Sequence, residues 1–139
     1  MKKIAVLVLF ALIFVNCSGD DEVETVIEQT ENEEDIMNET VLVMGDFVDR
    51  AHPTSGKASI NSEKTVLSFT NFKTDNGPKL LVYLSTNDSA TEFVNLGDLK
   101  GISGNFSYNI PENTDVSKYN IVNIWCVDFS VSFGVAELK

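Results

Sequence analysis

Between residues 105 and 110 apolar and polar side chains alternate without a break. Phe106, Tyr108 and Ile110 fall on one face, Asn105, Ser107 and Asn109 on the other. That two-residue period marks a strand buried on one side. Runs of strand character recur from residue 41 onward, at 41–48, 57–60, 65–72, 79–85, 93–99, 105–110, 121–127 and 131–135. Turn formers separate them: residues 49–56 hold Pro53 and Gly56, and residues 74–78 end in Asp75, Asn76, Gly77 and Pro78. In 79–85 the apolar residues Leu80, Leu81, Val82, Tyr83 and Leu84 occupy both faces, which predicts a strand covered on both sides. Residues 121–138 are dense in β-branched and aromatic side chains and hold the only Trp, so they predict the strands around which the sheet is built. No stretch of ten residues keeps a 3.6 period, and a single helical turn near 114–119 is the most that is expected. The expected fold is all-β, an antiparallel β-sandwich or barrel of about eight short strands, with a domain spanning 41–139.

The residues before it follow another pattern. Lys2 and Lys3 precede an uncharged apolar run from Ile4 to Val15, which ends at Asn16 and Cys17. A membrane-spanning helix needs about 20 apolar residues, so this run is too short to span and fits the core of a signal peptide. The arrangement resembles a bacterial lipoprotein signal, with residues 1–16 removed and Cys17 lipidated as the first mature residue. It departs from the usual lipoprotein pattern in having Phe14 and Asn16 where Leu and a small residue are preferred. Residues 18–40 contain ten acids and no Lys or Arg. Self-repulsion and few apolar residues predict a disordered acidic tether, with a reach of roughly 25–30 Å as a coil. The acidic run directly after Cys17 is similar to that of lipoproteins exported to the surface in Bacteroidetes-type bacteria. The expected location is therefore extracytoplasmic, at a bacterial outer membrane or cell surface, with the membrane as a partner through the lipid.

Charge narrows the partners. The net charge of the chain is −11. With ten of the 21 acids in the tether and two of the ten bases in the leader, the domain keeps eleven acids against eight bases, near −3. Such a chain repels phosphates, which excludes nucleic acid as a partner. The single His, His52, excludes a histidine-cluster metal site, and there is no C-x-x-C, no phosphate-cradling Gly loop and no G-x-S-x-G. Glu112, Asn113 and Asp115 do not match a calcium loop. No nucleophile–base pair or metal set is visible, which points away from an enzyme.

Lipidation of Cys17 would leave Cys126 as an unpaired thiol. Regular alternation puts Cys126 on the face of Val122 and Ile124, opposite Ile121, Asn123 and Trp125. A thiol there is either a small core hydrophobe or a reactive group, and the neighbouring sequence offers no cation to activate it.

Three pieces of sequence taken in order resemble the DM-thirteen domain, the electron-transfer-type domain of Skeletor-like animal proteins and of many bacterial proteins. The first is Gly45, Asp46 and Phe47 followed by His52, Pro53, Thr54, Ser55 and Gly56. The second is Leu67 to Phe72 followed by Gly77, Pro78, Lys79 and Leu80 to Ser85. The third is Tyr108, Asn109, Ile110 and Pro111 with Tyr119, then Ile124, Trp125, Cys126 and Phe133 to Ala136. Lys79 departs from the family pattern, which usually has an acid after the Gly-Pro pair. The resemblance implies electron transfer, with the family's cysteine, Cys126 here, acting as a bare thiol or as a ligand to a prosthetic group such as haem. The axial ligands would then come from Cys126, His52, Met44 and, less suitably placed beside the tether, Met37, with His52 and Cys126 as the pair. The expected function is a lipid-anchored extracytoplasmic domain with a redox role through Cys126 and an unidentified protein or redox partner. The alternative is a non-catalytic cell-surface binding or adhesion module.

Overall fold

The computed structural model describes residues 40–139; the expected signal peptide, Cys17 and all but the last residue of the expected acidic tether lie outside the described residues. Eight strands follow in order: β1 (Val41–Asp49), β2 (Thr54–Asn61), β3 (Val66–Thr74), β4 (Leu80–Ser85), β5 (Phe93–Asp98), β6 (Ser103–Asn109), β7 (Ile121–Cys126) and β8 (Val131–Glu137). Their order in space is β5-β4-β7-β8-β1-β2-β3-β6, and each strand pairing is antiparallel. The sheet curls into a nearly closed barrel or sandwich, as the short alternating runs predict. The segment at 115–119 is a single hydrogen-bonded turn, with Tyr119 N–H donating to Asp115 O at 2.9 Å, the i→i+4 bond of one helical turn.

Closure depends on β1, which serves two halves of the sheet. Its residues from Val41 to Asp46 pair with β2, while Phe47, Val48 and Asp49 pair with β8. Phe47 turns inward at the changeover and meets Phe69 and Phe72 of β3, with ring centroids 5.0 Å apart for each of the three pairs. Both contacts of Phe47 are edge-on, the geometry in which aromatic pairs add about 0.5–1.5 kcal/mol beyond their buried area. Around this trio the core takes Ile60, Leu67, Tyr108, Val82, Leu84, Val122, Ile124 and Cys126, one face of every strand it reaches.

Two glycines make the crossing of β1, β2 and β8 geometrically feasible. A Cβ on Gly45 would overlap the backbone carbonyl of Glu137, and one on Gly134 would overlap the side chain of Thr54. Both are close approaches that only a residue without a side chain permits.

β4 is buried along its whole length, as its two apolar faces predict. Leu80, Val82 and Leu84 enter the main core, while Leu81 and Tyr83 pack outside it with Ala90 and Trp125. The outer cover comes from residues 86–92, pinned by Asn123. This fully buried amide donates to Asp88 O at 2.9 Å and accepts from Ser132 Oγ at 2.7 Å. The sequence places Asn123 opposite Cys126 correctly but gives no sign that it is buried. Strict alternation would put Val131, Phe133 and Val135 of β8 on one face, and it breaks there. Ile124 pairs with Gly134 but Trp125 pairs with Ser132, so Phe133 is an extra, bulged residue. Phe133, Ala136 and Leu138 lie in the main core, while Val135, 2% exposed, is buried outside it.

Replacing Gly45 by Ala is expected to destabilise the domain by about 1–3 kcal/mol in a denaturant titration, as overpacking against backbone does. A change within about 0.5 kcal/mol, the range of ordinary surface substitutions, would show that β1 does not need this close approach to β8.

Candidate functional site

In an antiparallel barrel of this order the connections β1–β2, β3–β4, β5–β6 and β7–β8 all fall at one end. The other three connections and both ends of the described chain lie at the opposite pole. The first pole is one hydrogen-bonded unit. Arg50 and His52 N–H donate to Phe133 O, Val127 N–H to Lys79 O, Leu99 N–H to Leu80 O and Thr74 N–H to Ile102 O, at 2.9–3.2 Å. Residues far apart in sequence, including His52 to Gly56, Gly77 to Lys79 and Cys126, meet there.

His52 is held on several sides. Its ring stacks on Phe133, with centroids 3.8 Å apart and an interplanar angle of 29°. Its Nδ1 lies 3.0 Å from Asp75 Oδ2. Because an ionised carboxylate only accepts hydrogen bonds, this contact calls for a proton on Nδ1. The carbonyl of His52 accepts from Thr54 Oγ1 at 3.2 Å, and Thr54 Oγ1 lies 3.0 Å from Thr74 Oγ1, so Thr74 supplies the proton between the two buried hydroxyls. Thr54 N–H donates to Asp49 Oδ1 at 2.8 Å. Gly77 completes the support: a Cβ there would come within 2.8 Å of Phe133 Cζ, so a glycine lets the β3–β4 turn close over the Phe133 ring. The His52 side chain remains 39% exposed and that of Asp75 54%, so the pair contributes at most about 1 kcal/mol to stability and acts mainly to orient the ring.

Cys126 ends β7 on the inside of the same pole. It is a free thiol with no exposed surface, its Cα partners are Leu80 and Val131, and it shares the core with Val122 and Ile124 as the alternation predicts. The ring partners of His52 are Asp75 and Phe133, which form a His52–Asp75–Phe133 group. The sequence marks Asp75 only as a turn residue and Phe133 only as a core residue. Nothing in their spacing, 23 and 81 residues from His52, announces the contact. Met44 is 44% exposed on β1. Asp115 Oδ1 accepts from the N–H groups of Ser117 and Lys118, a local turn, and no cluster of three or more metal-ligating His, Cys, Asp or Glu occurs among the described residues.

Residues 46–138 match the family described as Electron transfer DM13. The chain belongs to the DM13 family. No curated protein and no solved structure matches it. In DM13 terms, the sequence pieces around His52, Gly77–Pro78 and Cys126 are those that the barrel gathers at its first pole.

Haem, the prosthetic group that the resemblance implies, does not fit these residues. A thiolate ligand needs an open face on its sulfur, and the Cys126 side chain is enclosed by core. The grooves at residues 76–80 with 98–102, at 49–55 with 73–75, and on the outer face of β1 and β8 are lined by neither Cys126 nor His52. Neutral His52 is expected to carry its proton on Nδ1, and Asp75→Ala to shift it toward Nε2, as read from imidazole nitrogen chemical shifts. A tautomer ratio untouched by Asp75→Ala would show that the carboxylate does not orient the ring.

Proposed function

We propose that this DM13 protein is a lipid-anchored extracytoplasmic module that serves electron transfer by docking a partner at its first pole, and that Cys126 acts as core. The observation that carries this reading is the complete burial of the domain's one cysteine beneath a pole whose loops are exposed and mutually hydrogen-bonded. A thiol that exchanges with partners needs access and an activating environment. Cys126 has no exposed surface, while His52, Asp75 and Lys79 beside it are presented to solvent. The anchor rests on the leader and Cys17, and the spacer on the acidic run after it. The partner is a protein or redox carrier of the same compartment.

A redox role for Cys126 itself is the second reading. Its support is position: the residue after Cys126 donates its N–H to Lys79 O, so the thiol lies one residue from the loops that would dock a partner.

Alkylation separates the two. Iodoacetamide is expected to modify Cys126 in the folded protein at least a hundredfold more slowly than in the unfolded protein. Native modification at the rate of an open thiol would transfer the electron-transfer role to Cys126. Anchoring has its own test. The full chain is expected to partition into the detergent-rich phase of a phase-separating detergent after expression in a bacterium, and Cys17→Ala to move it to the aqueous phase. Equal partitioning of the two would remove the lipid from the account.

A further inference from the structure

Beside the His52 group a groove runs between the β3–β4 and β5–β6 connections. It is an open groove of about 640 Å³, a volume within the range of small-molecule sites. Its two walls are fixed to each other at both ends, by Leu99 N–H on Leu80 O and by Thr74 N–H on Ile102 O, each 2.9 Å. A third tie holds the second wall to the barrel, where Lys100 N–H donates to the Tyr108 hydroxyl at 2.9 Å. The Tyr108 hydroxyl is itself sheltered, and burial raises its pKa above the ordinary phenol value against the opposing effect of that hydrogen bond. The groove is therefore a preformed feature of the fold.

Its lining combines an apolar surface with two opposite charges. Leu80, Leu99 and Ile102 supply apolar surface, and Lys79 and Asp98 line the same space. Among the described residues neither Lys79 nor Asp98 has an ion pair or a side-chain hydrogen bond, although five other ion pairs form on this domain. Asn76 adds an amide whose oxygen is taken by Gly77 N–H at 3.0 Å, leaving its NH2 group as a donor. A simple anion would meet Lys79 but be repelled by Asp98, and a simple cation the reverse, so the charges select against both. A molecule with an ammonium group, a carboxylate and an apolar body satisfies every group in the lining.

We propose that this groove binds a small zwitterion with an apolar body, of the amino-acid or dipeptide class, with its carboxylate at Lys79, its ammonium at Asp98 and its side chains on Leu80, Leu99 and Ile102. The inference rests on the groove and not on the docking or redox reading of the pole, and stands or falls apart from them. The probe is leucyl-leucine, titrated into the full chain in detergent while backbone amide shifts are followed by NMR. The expected result is saturable shifts confined to residues 76–80 and 98–102, with binding at least tenfold weaker when the dipeptide is N-acetylated or C-amidated. Lys79→Ala is expected to weaken leucyl-leucine at least tenfold but leave the amidated form unaffected, and Asp98→Asn to do the same against the acetylated form. Both residues are exposed, so both variants are expected to keep the fold, as their amide spectra would report. Absence of saturable shifts at those residues up to millimolar dipeptide, or equal binding of free and doubly capped dipeptide, would overturn the proposal.

Discussion

The fold depends on one strand doing two things. β1 pairs with β2 along its first half and with β8 along its last three residues, and this joins two antiparallel half-sheets into one nearly closed wall. A sheet of eight strands with right-handed twist must curl or split, and the change of partner along β1 gives it a corner at which to curl. The corner is tight enough that Gly45 and Gly134 cannot carry side chains, and it is filled from within by Phe47 on Phe69 and Phe72.

That closure decides where the chemistry goes. Because the strands run alternately up and down, every second connection falls at one pole, and the residues around His52, Gly77 and Cys126 arrive there from three different turns. The bulge at Phe133 then matters twice. It breaks the alternation of β8 after Phe133, so that Ala136 and not Val135 joins the main core, and it carries the ring face on which His52 stacks. Cys126 arrives at the same pole from the inside of the wall. Burial makes it a small hydrophobe whose sulfur has no approach from solvent, while the polar groups of the pole stay outside. The DM13 family name speaks of electron transfer, and this member keeps its one domain thiol out of reach of any partner that does not open the core.

Much of this was legible in the sequence because it rests on period. The alternation at Phe106, Tyr108 and Ile110, the double-faced run of β4 and the inward side of Val122, Ile124 and Cys126 all follow from one residue's relation to its neighbours two positions away. The edges of strands were less legible. Residues 54–56 are strand although Pro53 and Gly56 make that stretch read as a turn, because pairing with β3 overrides the local signal and a bulge opposite Gly56 absorbs the strain. The candidate site was legible only in parts. His52 and Cys126 stand out as the single His and the only cysteine of the domain, but which residues they meet is set by closure and by a bulge, neither of which has a local signature. Asn123 shows the same limit: an amide in a strand reads as exposed until a loop folds over it.

The central claim is that Cys126 is a packed core residue in a protein that serves electron transfer through its surface. The most direct measurement is the visible absorption spectrum of the purified full chain. The account predicts no absorption band in the visible range, and a spectrum that Cys126→Ser leaves unchanged. A haem-type band that shifts or disappears in Cys126→Ser would contradict it, because that sulfur would then be a ligand and the closed core around it would not be the working state.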